Sequence, residues 1–234
     1  MRLSVLDVSD SLKLMTTKQH SPAMFKRYLK SILKYILELL IVAFGVFLGF
    51  YLSEKSNQEN VDANTRNALE QIIAEMKANA RILESAVAYH EQLALELDSA
   101  LQGLGEEDFR LPYYGNPKIN HNKLPSWKGV GTVRLSETIY ESAKISGVFQ
   151  DLNISTIQLI SSIYEFHDVY AEFTKSTVDQ LLALDSESKT GDVLELLGRL
   201  CKYDIVSIER GLLGDIQKQI VELEARLENK SYTK

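Results

Sequence analysis

Between Ile36 and Leu52 the chain reads ILELLIVAFGVFLGFYL, with Glu38 as its only charge. A helix in hydrocarbon must satisfy every backbone N–H and C=O within itself. At 1.5 Å rise per residue it needs ~20 mostly apolar residues to cross a bilayer. Tyr35 and Tyr51 frame the run, where interfacial aromatics belong. A helix on the surface of a soluble domain would show a polar face, and this one shows none. The run begins too late for a cleaved leader, and no small-x-small cleavage site follows it, so it reads as a signal-anchor.

Charge gives the expected orientation. Residues 1–34 carry Arg2, Lys13, Lys18, Lys26, Arg27, Lys30 and Lys34 against Asp7 and Asp10. In the twenty residues after the run only Lys55 and Arg66 are basic. The positive-inside rule then places the N-terminus in the cytoplasm and the large domain outside. Residues 18–34 space Phe25, Tyr28, Leu29, Ile32 and Leu33 along one helical face, which suits a basic helix lying on anionic lipid. Three segments are expected: a basic amphipathic stretch over 1–34, a transmembrane helix over 35–53, and a helical domain over 54–234.

After a polar exit at 53–60, helical periodicity resumes near Val61 and runs to Leu101. Leu69, Ile73, Met76, Ala80, Leu83, Val87, His90, Ala94, Leu97 and Leu101 follow steps of four and three. Such a seam zips identical chains together or packs within one domain. His90 is its only polar member and suits a polar layer better than a ligand. Gly103 and Gly105 end the helix. Ser136 is placed to cap a helix that Gly147 ends, and Asn153 to cap the next. That next helix carries Ile154, Ile157, Ile160, Tyr164, His167 and Ala171 on one face. Ser186 to Gly191 reads as a turn, with helices near 192–202 and 205–228. No segment alternates as a strand does. The expected fold is all-α, one transmembrane helix followed by a bundle of long helices.

The apolar helix carries a second signal. Gly45 and Gly49 lie one turn apart, which lets helix backbones approach closely in lipid. Glu38 stands two turns before Gly45, on nearly the same face. An acid at this depth either snorkels to the interface or faces protein or water. If copies associate on this face, the Glu38 residues form an acidic ring suited to cations. One helix encloses no pore, so a channel would be a homo-oligomer, a tetramer or larger.

Residues 109–135 form the one long non-helical stretch, with Pro112, Pro117 and Pro125 among its breakers. From Phe109 to Ser136 there is no acid, although the chain beyond residue 34 carries 19 Lys/Arg against 30 Asp/Glu. Arg110, Lys118, Lys123, Lys128 and Arg134 alternate there with Tyr113, Tyr114 and Trp127. A basic, aromatic island is the composition that neutralises phosphates and stacks bases, so a nucleotide or DNA oligomer is one candidate ligand. Anionic lipid is another. A purely structural loop, its charges paired with the acidic helices, is the third.

No metalloprotease H-E-x-x-H, C-x-x-C, phosphate-binding G-x-x-x-x-G-K or G-x-S-x-G motif occurs, so no enzyme activity is expected. His20, His90, His121 and His167 are scattered and Cys201 stands alone, so neither a metal nor another cofactor is expected.

Two stretches carry a resemblance. One is Tyr35 to Gly49, YILELLIVAFGVFLG, leading to the polar exit and long helix. The other is Ser136 to Gly147, SETIYESAKISG, followed by Asp151-Leu-Asn. Together they resemble a broad bacterial family of single-anchor membrane proteins with a helical domain, over roughly residues 30–175. In plan the chain is also similar to the Hailong anti-phage membrane-channel effectors, whose channel DNA oligomers hold shut. That resemblance implies a defence pore regulated by a polyanion. The other expectation is a membrane-anchored helical scaffold that recruits a protein partner.

A conflict runs through the pore expectation. A cytosolic nucleic-acid regulator needs the basic loop in the cytosol, whereas the charge rule puts it outside.

Overall fold

A computed structural model describes residues 22–233. Much of the basic segment expected over 1–34 therefore lies outside the described residues. Five α-helices make up most of what is described: α1 (Pro22–Leu101), α2 (Thr138–Ile145), α3 (Ile154–Leu182), α4 (Thr190–Gly198) and α5 (Asp204–Glu228). There is no strand among the described residues, only isolated bridges pairing Pro112 with Lys189 and Leu152 with Thr233. The polar exit expected at 53–60 is itself helical, within α1. The chain divides into two compact units, Met1–Glu59 and Asn60–Lys234.

In the first unit, the helix is long and apolar enough to cross a membrane. Its best window has a mean hydropathy of 2.2, and none of that window is buried. Side chains from Ile32 to Leu52 are exposed.

The second unit owes its core to the seam read from the sequence. Leu69, Ile73, Met76, Ala80, Leu83, His90 and Leu97 are buried. From α1, Leu69 to Leu93 pack with Ile160, Ile163 and Tyr164 of α3 and with Leu212, Ile216 and Leu223 of α5. Each large aliphatic side chain so buried contributes about 1.5–3 kcal/mol. Of the two roles open to the seam, packing within one domain is the one seen, since its apolar face is covered by the protein's own α3 and α5.

A second cluster lies at the C-terminal end of α1, where Leu97 meets Tyr113, Ile119, Val193, Leu194 and Leu197. α4 passes into α5 through a single π-helical turn, Arg199–Tyr203. The C-terminal residues are tied back as Asn153 N–H donates to Tyr232 O at 2.8 Å, and Tyr232 is buried.

Helix α2 departs from the expected capping. Ser136 does not cap it through its own side chain. Glu75, buried on α1, accepts from the Ile139 N–H at 2.9 Å and the Tyr140 N–H at 3.3 Å. These are first-turn donors that lack a partner within the helix. Glu75 also accepts from the Ser136 hydroxyl at 2.8 Å and the Tyr164 hydroxyl at 2.8 Å. At the other end Gly147 adopts φ +85°, the left-handed turn that favours glycine. Asn153 caps α3 as its position suggests, accepting from Thr156 N–H at 2.8 Å.

Candidate functional site

Gly45 and Gly49 present bare backbone. A Cβ built on either would meet no atom within 4 Å. Glu38, on the same helix, lies 3.8 Å from Lys34 one turn earlier, and both side chains are more than half exposed. The acid is thus partnered on its N-terminal side, toward the basic segment, as a residue at a membrane interface would be.

Of the eight loop residues expected to bind a ligand, the structure divides the set. Tyr113 is fully buried, and its backbone N–H donates to Ser188 O at 2.8 Å. Its hydroxyl accepts from His121 N–H at 2.6 Å and donates to His121 Nδ1 at 2.7 Å. Burial pushes the Tyr113 hydroxyl up to about 12, so it stays neutral. The expectation that Tyr113 stacks on a base is corrected, because neither ring face is open.

Trp127 is half-buried between the two clusters, its ring edge-on to His121 at 4.7 Å. Lys118 pairs with Asp108 at 2.7 Å, and Asp108 also accepts from Gly105 N–H at 2.8 Å. These two therefore brace the loop. The backbone of Ser126 and Lys128 is pinned as well, by Glu96 at 2.9 Å and by the Tyr89 hydroxyl at 2.9 Å.

Arg110, Lys123, Lys128 and Arg134 remain exposed, and none has an ion pair among the described residues. Tyr114 is half exposed. Arg134 lines a cavity with His167, Glu137 and Asp168.

Two buried polar groups were missed as a pair. His90 Nδ1 meets Glu209 Oε2 at 2.8 Å and Nε2 meets Val130 O at 2.9 Å. Tyr170 donates to the other Glu209 oxygen at 2.8 Å. The available signal was an acid at a core position of α5, between Ile205 and Leu212.

No group of His, Cys, Asp or Glu among the described residues could hold a metal ion. No family model matches the chain, and no curated protein or solved structure is similar enough to count as a match.

Proposed function

We propose that this chain is a single-pass membrane protein whose helix over about 36–52 spans the bilayer and associates with copies of itself. The observation that carries this reading is the bare Gly45/Gly49 surface on a wholly exposed apolar helix. In lipid, helices associate by close packing rather than by the hydrophobic effect, and small residues one turn apart permit it.

The assembled helices form a cation pore with Glu38 at its mouth, and the bundle of long helices beyond residue 60 governs it. Arg110, Lys123, Lys128 and Arg134, exposed and without an ion pair among the described residues, receive a polyanionic regulator. A role in bacterial anti-phage defence rests on the sequence resemblance alone.

Planar-bilayer recordings of the purified protein test the pore. Cation-selective conductance that Glu38→Ala lowers supports it, and silence with and without a DNA oligomer rules it out. A reporter fused after Lys234 fixes the side of the helical domain. A cytoplasmic signal permits a cytosolic nucleic-acid regulator, and an external one excludes it.

One observation favours a second reading, a membrane-anchored scaffold for a protein partner. The loop's Tyr113 and Trp127 are turned inward, while Ile145, Ile154, Leu182 and Val221 stand exposed on the helical domain. Overexpressed pore subunits depolarise the cell, whereas a scaffold leaves its potential unchanged.

A further inference from the structure

The second half of the basic loop is fastened to α1 at both ends and in the middle. At one end Glu96 accepts from the Ser126 N–H at 2.9 Å. At the other the Asn79 amide exchanges two bonds with the Ser136 backbone, at 2.7 and 2.8 Å. Between them two adjacent residues of α1 do the holding. The Tyr89 hydroxyl donates to Gly129 O at 2.8 Å, and His90 Nε2 meets Val130 O at 2.9 Å.

The His90 hold differs from the rest, because its donor depends on a proton. Against a Glu209 carboxylate, both ring nitrogens must carry protons to serve Glu209 and Val130 together. Loss of one proton leaves a single N–H between two acceptors. The carboxylate takes it, since a charged acceptor makes the stronger bond. Tyr170 holds Glu209 in place from its other oxygen. Nε2 then turns a lone pair on the Val130 oxygen, and a buried carbonyl loses its donor.

The backbone at that point can yield. Val130 stands between Gly129 and Gly131, at φ +110° and +78°. The carbonyl to be released belongs to the Val130–Gly131 peptide, and glycine accepts whichever sign of φ a turn of that peptide demands.

We propose that His90 and Glu209 form a proton-dependent clasp on segment 127–134, closed while both ring nitrogens are protonated and open when one proton leaves. Opening loosens Trp127 and Lys128 from the bundle. The other titratable groups facing His90 keep one state near neutrality. Burial raises the hydroxyls of Tyr89 on α1 and Tyr170 on α3, and pushes the Cys201 thiol in the π-helical turn up to about 12. The exposed Arg210–Glu91 pair bridges α5 and α1 at the surface. Burial would lower the His90 pKa, but the Glu209 bond and charge raise it, so opening falls on the alkaline side of its ordinary value. The clasp belongs to the helical domain and holds whether or not the loop receives a polyanion.

Trp127 is the only tryptophan of the chain and is half-buried within this segment. Acrylamide quenching of its fluorescence, in the full-length protein in detergent, reads the clasp. The quenching constant should rise about twofold or more from pH 6.5 to about 9. His121 lies edge-on to Trp127, but burial lowers its pKa, so it titrates below that range. Hydrogen exchange over 127–134, corrected for the intrinsic rate at each pH, should rise in step, while peptides of α3 and α5 keep theirs. His90→Gln has no proton to lose and should abolish the pH dependence of both readouts. Glu209→Gln should keep the clasp closed throughout, because a neutral ring then leaves Nε2–H on Val130 while Nδ1 accepts from the amide. Tyr89→Phe should raise quenching at every pH and leave the step in place. Quenching and exchange that ignore pH in the wild type overturn the proposal. So does a step of wild-type size in His90→Gln or Glu209→Gln, or exchange that rises equally in α3 and α5. Circular dichroism of each variant checks that it keeps its helices.

Discussion

His90 on α1 and Glu209 on α5 form a buried ion pair, with Nδ1 2.8 Å from Oε2 and both side chains wholly excluded from solvent. The partner of Nε2 is a backbone carbonyl, Val130 O. Against a Glu209 carboxylate both partners are acceptors, and the doubly protonated ring satisfies them in full. Burial alone would push the His90 pKa down. The Glu209 hydrogen bond and charge outweigh it and raise the pKa. The pair sits where helices α1, α3 and α5 meet, because Tyr170 of α3 also donates to Glu209.

Removing the acid should therefore be costly. Glu209→Ala leaves a buried cation and an unpaired Tyr170 hydroxyl, and urea denaturation should show a loss of about 3–5 kcal/mol. Glu209→Gln keeps one acceptor oxygen and sets an amide N–H against the other partner, where the Tyr170 hydroxyl oxygen can accept it, and should cost less. Equal losses for the two would contradict the assignment of a charged pair.

The two buried histidines should give stability opposite pH dependences. His167 is held at about 4 in the fold, below the usual value of 6.5. Its contribution is present above pH 6.5 and lost as pH falls toward 4, by about 3 kcal/mol in all. His90 is raised, so its contribution is present below 6.5 and lost as pH rises through its folded value. Denaturant midpoints measured across pH should fall on both sides of neutrality. His167→Phe should flatten the acid limb and leave the alkaline limb in place.

Two neighbouring glycines should respond differently to the same change. Gly131 has φ +78°, and a Cβ there would collide with the Tyr89 ring and approach His90 Nε2 to 2.9 Å. Gly129 has φ +110° but open space around it. Gly129→Ala should cost roughly 1–3 kcal/mol through backbone strain alone. Gly131→Ala should cost clearly more, because the ring that anchors Lys128 and Gly129 must also move. Thermal unfolding of the two variants gives the comparison.

Local pattern carried much of the fold. The apolar helix, the seam of α1, the Asn153 cap and the glycine at 147 are all signals within a few residues, and all appear as helices and ends. Partnerships across the chain were not legible. The seam from Leu69 looks the same whether its partner is a second copy or α3 and α5. Ser136 looked like a cap because serine is one by type, yet the first turn of α2 is served by Glu75, more than sixty residues earlier. The basic loop was read from composition, which counts Tyr113 and Lys118 alike whether they face water or brace the loop. Arg134 was singled out for its charge, but its neighbours His167 and Asp168 come from α3, which only the fold brings to it.

Self-association of the proposed membrane helix is measured directly by single-molecule photobleaching of fluorescently tagged protein in native membrane vesicles. Gly45→Leu and Gly49→Leu lie outside the helical domain's core and should leave its helices unchanged. Wild type should bleach in several steps, four or more if a pore forms. Either leucine variant should shift the distribution to single steps. Single-step bleaching of the wild type, or multi-step bleaching that both leucine variants retain, would contradict it.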